Sequence, residues 1–162
     1  MDQVDKVIDQ WRSVRPDLDM SMMGPIGRLS RVTKQMQAVA EQSFMPFGMN
    51  MAGFDVLSAL RRSGPPYALS AGDLLASMMI TSGTMTNRID QLVKAGLVRR
   101  ESDPNDARKA IVCLTSEGLE RIDLAIVDHV AAQQQIILAG LDVDEVEDLD
   151  RLLRKVTKAV GL

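Results

Sequence analysis

Apolar residues recur at three-residue and four-residue intervals through most of this chain, the spacing that lines one face of an α-helix. Val4, Val7, Ile8 and Trp11 predict a first helix over residues 2 to 13, and Arg15-Pro16-Asp17-Leu18-Asp19 breaks it, because the residue before proline is pushed out of the α region. Ile26, Leu29, Val32, Met36 and Val39 predict a second helix from about Gly24 to Ser43, ended by Pro46, Phe47 and Gly48. Met51, Phe54, Leu57 and Leu60 predict a third between Asn50 and Arg62, with Ser63-Gly64-Pro65-Pro66 as a hard stop.

The pattern then shortens. Ser70 followed by Asp73 is a capping-box start for a helix buried through Leu74, Leu75 and Met78. Thr81 or Ser82 opens another, with Met85, Ile89, Leu92 and Val93 on its apolar face and Gly96 as a left-handed cap. Leu97 to Ser102 and Lys109 to Thr115 are β-prone and flank the turn cluster Asp103-Pro104-Asn105-Asp106, which predicts a two-stranded wing. Two apolar stripes close the chain. One runs through Leu119, Ile122, Ile126, Val130 and Ile137 to a stop near Gly140, the other through Val146, Leu149, Leu152, Leu153, Val156 and Val160 in a helix over about 142 to 160. Both stripes are too apolar to stand uncovered. The fold class is therefore mainly α: a helix-turn-helix with a two-stranded β-wing, flanked by N-terminal and C-terminal helices. We expect one domain over 1–162, with N-terminal helices in 1–48, the winged helix-turn-helix in 49–115 and the C-terminal helices in 116–162.

Composition narrows the function. Hydrophobic residues make up 46% and charged residues 25%, the balance of an ordinary globular protein, and no apolar run approaches the roughly 20 residues that span a bilayer. The start MDQVDKVIDQWRS lacks the regions of an export signal, so a cytoplasmic address and no membrane partner are expected. One cysteine, Cys113, and one histidine, His129, build neither a disulfide framework nor a zinc site. No glycine-rich phosphate loop or nucleophile and base pair is evident, so neither an enzyme, a catalytic residue, a cofactor nor a metal is expected.

A net charge of −3 runs against nucleic-acid binding until its distribution is considered. From Thr81 to Arg100 the bases Arg88, Lys94, Arg99 and Arg100 face one acid, Asp90, whereas ten acids face Arg121 alone from Ser116 to Asp150. A phosphate-facing surface fits the middle of the chain. At about 100° per residue, Met85, Ile89 and Leu92 share one side of their helix, leaving Gly83, Thr84, Asn87, Asp90, Gln91 and Lys94 on the other. That outer face is small and polar, as a major-groove reader needs. Asp106-Ala107-Arg108-Lys109 sets two cations at the wing tip, where Arg108 can enter a narrow minor groove.

These residues resemble a family. LSAGDLLASMMITSGTMTNRIDQLVKAGLVRRESDPNDARKAIVCLTSEGLE is similar to the winged-helix core of the multiple antibiotic resistance regulator (MarR) family. SGTMTNR (Ser82 to Arg88), DPNDARK (Asp103 to Lys109) and LTSEG (Leu114 to Gly118) fall in the family's order, after FDVLSALRRSG (Phe54 to Gly64). The resemblance implies DNA contacts from Ser82, Thr84, Thr86 and Asn87, joined by Gln91 on the polar face, with Arg108 as wing arginine beside Lys109. Ala107 departs from it, since many members carry arginine there. It also implies a homodimer through the terminal helices, reading a pseudo-palindromic operator in double-stranded DNA with half-sites about 34–36 Å apart.

The N-terminal extension resembles the urate-responsive branch in Trp11, Asp55, Arg88 and Arg100. Two arginines and a tryptophan suit a planar anion, through bidentate donors and a stacking face. The same residues read equally as an anchor for the first helix and a structural ion-pair network, and the small-molecule effector could be urate or another planar organic anion. Cys113, between Val112 and Leu114, lacks the neighbouring cations that activate a thiol, and burial is expected. The function expected is a ligand-responsive transcription repressor; the alternatives are a winged-helix protein-interaction module, or a relative with a different effector.

Overall fold

A computed structural model of the chain describes residues 1–78, 85–103 and 110–161. In chain order it holds α1 (Gln3–Val14), α2 (Met23–Phe44), a short 3₁₀ turn (Met45–Phe47), α3 (Met51–Arg62), β1 (Ala68–Ser70), α4 (Ala71–Ser77), α5 (Met85–Lys94), β2 (Val98–Ser102), β3 (Ala110–Leu114), α6 (Ser116–Leu138) and α7 (Val143–Ala159). The chain divides into two compact units, Met1–Val39 and Ala40–Leu162. No single helix among the described residues is long and apolar enough to cross a membrane.

In the first unit the Asp2 carboxylate caps α1, accepting from the Val4 and Asp5 amides at 2.7 and 2.9 Å. Arg28 of α2 donates to Asp2 at 2.7 Å and to Asp5 as well, which clamps α1 to α2. These bonds, the Asp5 amide foremost, hold the Asp2 carboxyl down to about 2. Val4, Ile8 and Met20 form a small apolar cluster, and Val4 packs so near Gly27 that an added Cβ there would lie 3.2 Å from its methyl.

The second unit is organised around α3. Asn50 caps its start by accepting from the Gly53 amide at 2.9 Å, and Val56, Leu57 and Leu60 are fully buried. Each such side chain contributes about 1.5–3 kcal/mol by leaving water. Phe54 stacks on Phe44 with ring centroids 4.6 Å apart, and the His129 ring of α6 tilts against Phe54 at 4.8 Å. The Ser70 hydroxyl accepts the Asp73 amide at 3.1 Å to start α4, and Gly96 turns out of α5 at φ +73°. Gly96 matches the sequence expectation, whereas the expected capping box is half made: the Asp73 carboxylate accepts from the Ser70 hydroxyl at 2.7 Å and not from its amide.

The sheet is larger than expected. β2 and β3 pair antiparallel, Arg100 opposite Val112, and β1 joins the far side of β3 with Leu69 opposite Val112. The wing strands are thus two of a three-stranded sheet in which β3 lies at the centre. β1 escaped the sequence reading because three residues between Pro65-Pro66 and the Ser70 cap are too few to show alternation. The unpaired edge of β3 is what recruits it.

The stripes read as needing cover are open within the single chain. Ile26, Leu29 and Val32 of α2 are 66%, 45% and 50% exposed, and α7 has no buried residue at all. Val93, placed on the apolar face of α5, is exposed. It lies at the margin of that face, away from the line of Met85, Ile89 and Leu92, all three buried.

Candidate nucleic-acid interface and charged cluster

α5 buries Met85, Ile89 and Leu92 against the second unit, which turns Thr86, Asn87, Gln91 and Lys94 outward, all exposed. The outer face is therefore polar and carries donors and acceptors of the kind that meet base edges. Ser82, Thr84, Arg108 and Lys109, the other expected DNA contacts, lie outside the described residues.

The residues expected to hold an anion separate into groups. Asp55 of α3 is half-buried, and burial pushes its carboxyl up while Arg88, Arg62 and His129, in that order, pull it back. Arg88 Nη1 is buried with no hydrogen-bond partner, and with the hydroxyl of Ser58 it is one of two such side-chain atoms among the described residues. Arg88 also lines a cavity of about 100 Å³ with Asn50, Gly53, Gln91 and Leu92. Arg100 is occupied elsewhere: its Nη1 pairs with Asp90 at 2.7 Å, and it lines a separate hollow of about 570 Å³ with Leu75, Met85, Thr86, Ile89 and Val112. Trp11 belongs to the first unit and is 45% exposed.

Two residues near Asp55 were not foreseen. Arg62 lies seven positions on, two helical turns along the same face, a spacing that would have revealed it. His129 sits three-dimensionally beside α3, and only the fold brings it there. Its Nδ1 lies 3.2 Å from the Ser43 hydroxyl and its Nε2 3.0 Å from the Gln133 amide nitrogen. Burial pushes its pKa down, and Asp55 opposes that.

Cys113 is buried, as expected, and its thiol points at the Glu101 carboxylate at 3.6 Å. Burial first, then the Glu101 charge, push that thiol up. Arg99 is drawn off, donating to Glu101 at 2.7 Å and to the Leu114 carbonyl at 2.9 Å.

An antiparallel wing pair behind a helix with a polar outer face is an arrangement shared with known proteins. A family model described as MarR family matches residues 47–109. The transcriptional regulator PecS of Dickeya dadantii is 36% identical over 156 residues, covering 96% of this chain and 93% of its own. The chain belongs to the MarR family. Among solved structures, a mutant of Escherichia coli MarR complexed with operator DNA has a TM-score of 0.72 at 27% identity, covering 86% of this chain and 99% of that one. BpsR of Bordetella bronchiseptica, described in a structure on regulation of its DNA binding by 6-hydroxynicotinic acid, has a TM-score of 0.70 at 28% identity, covering 81% and 91%. This MarR-family chain is a DNA-binding transcription regulator with a winged helix-turn-helix, and not an enzyme.

Proposed function

We propose that this protein is a cytoplasmic homodimeric repressor whose single 1–162 domain releases its operator when a planar organic anion binds. The observation that carries the effector reading is Arg88: a guanidinium nitrogen buried without a partner, on the helix whose other face is exposed and polar. An unpaired buried charge-bearing donor costs free energy that an anion would recover. BpsR, a relative regulated by 6-hydroxynicotinic acid, supports a ligand of this class. Urate is the first candidate. Asp55 and Arg88 hold the ligand's polar edge, and Arg100 contributes once released from Asp90.

Ser82, Thr84, Thr86, Asn87 and Gln91 read one half-site from the major groove, and Arg108 and Lys109 engage the backbone or minor groove beside it. Exposed apolar side chains on α6 and α7, among them Val130 and Val156, supply surface for a second copy, and Leu29 of α2 does so separately.

The test combines duplex selection with calorimetry. The purified protein should be dimeric, select a pseudo-palindromic site in a salt-dependent manner, and gain thermal stability with urate or 6-hydroxynicotinate while Arg88→Ala gains none. Absence of any sequence-specific, salt-sensitive complex would overturn DNA reading by these residues. A protein-interaction module would in that case keep its partner after Arg108→Ala.

A further inference from the structure

Arg62 ends α3 and touches two systems at once. It is one of the two arginines that pull on the Asp55 carboxyl, and its Nη2 donates to the Ser77 carbonyl at 3.0 Å. Ser77 is the last residue of α4. The final carbonyls of a helix lack partners within it, and a cation placed there is favoured by the helix dipole. The rest of that turn is closed locally, by the Ser77 hydroxyl on the Leu74 carbonyl at 2.9 Å and the Met78 amide on the Leu75 carbonyl at 3.3 Å. α4 itself has seven residues and one buried side chain, Leu74. A short helix with so little burial depends on what holds its ends.

We propose that Arg62 is a positioning residue that couples effector occupancy to the helix-turn-helix, by holding the end of α4 when the Asp55 and Arg88 cluster is empty and releasing it when an anion takes its guanidinium. This rests on the effector reading above. The competition favours the anion. A hydrogen bond from a guanidinium to a carboxylate-like oxygen is roughly twice as strong as one between neutral groups, and an anion accepts in bidentate fashion where one peptide carbonyl does not. α4 precedes α5, which carries Thr86 and Asn87, and freeing Ser77 removes a tie between α3 and the helix that comes before the reading helix. The bound form then needs differential DNA affinity, and loss of one end constraint supplies it.

The experiment uses the full-length dimer and a duplex obtained by selection from random sequence, with anisotropy titrations across a salt series for wild type, Arg62→Gln and Arg62→Lys, each without anion and with urate or 6-hydroxynicotinate at concentrations saturating by calorimetry. The expected result has three parts. Arg62→Gln weakens anion-free specific binding by about fivefold or more with an unchanged salt slope, the span typical of a coupling energy. Its ratio of affinities with and without anion collapses toward one. Arg62→Lys, which keeps a cation for the Ser77 carbonyl, restores most of the anion-free affinity.

A salt slope shallower by about one in Arg62→Gln would make the residue a phosphate contact and overturn the proposal. So would a wild-type affinity ratio in that variant. Wild type that binds neither anion would overturn the effector reading and the coupling with it, whereas wild-type anion-free affinity in Arg62→Gln would overturn the hold on α4 by itself. Thermal melts of the three proteins separate these outcomes from loss of fold.

Discussion

The Leu97 carbonyl oxygen occupies the place where a side chain on residue 118 would begin: a Cβ built on Gly118 stands 1.9 Å from it. The same carbonyl accepts the Thr115 amide at 3.1 Å, and the Thr115 hydroxyl caps α6 through the Gly118 amide at 3.0 Å while donating to the Gly96 carbonyl at 2.7 Å. The end of α5, the start of β2 and the start of α6 are knotted there. Gly118→Ala forces backbone against backbone and should cost about 3 kcal/mol, the upper part of the range for overpacked sites. Thermal melting followed by circular dichroism should show a midpoint lower by roughly 10 °C. A midpoint within about 2 °C of wild type would mean that the α6 start moves freely.

Ser58 predicts the opposite sign. Its hydroxyl is buried in α3 without a partner, and a buried polar atom left unmatched is a cost to the fold. Ser58→Ala removes that atom and leaves almost no hole, so urea denaturation should give equal or greater stability, by up to about 1 kcal/mol. A loss beyond that amount would reveal a bond made in solution.

Asp55 should respond to pH in a defined direction. Burial outweighs its two arginines, so its folded pKa lies above the ordinary 3.8, and the charged form is disfavoured by folding. Above the folded pKa this side chain weakens the fold; as pH falls through that value toward 3.8 the weakening disappears. Asp55→Asn should therefore melt higher than wild type at pH 7, with the difference narrowing as acid brings the pH down toward 3.8. A gap that widens with acid would reverse the assigned cause.

Asn87 separates reading from folding. It is exposed on the outer face of α5. Asn87→Ala should leave the melting curve alone and reduce the preference for the selected site over mismatched duplexes by about 1–3 kcal/mol, the worth of one good base contact. Equal losses on every duplex would recast the residue as a backbone contact.

Periodicity made most helices legible to within a residue or two, because Val4 and Ile8, Leu57 and Leu60, or Ile89 and Leu92 must share a face to be buried. Caps were legible too, since Ser70 and Gly96 act on residues three or four positions away. What escaped was non-local. β1 exists because β3 has a second edge, Arg62 matters because the end of α4 folds onto it, and Arg100 turns to Asp90 across β2 and α5. The stripes on α2 and α7 showed that a face needs cover without showing that its own chain leaves it open. The glycine of LTSEG could be matched to a family but explained only once Leu97 was seen beside it.

The protein's one sulfhydryl sits inside the sheet with Glu101 keeping it protonated. Maleimide and nitroxide reagents should thus pass over the native chain, which makes it a ready frame for spectroscopic rulers. A cysteine installed at an exposed position of α4 or α5 would be the sole labelled site on each chain, and in the homodimer proposed above the distance between the two copies of that helix could be followed as anion is added.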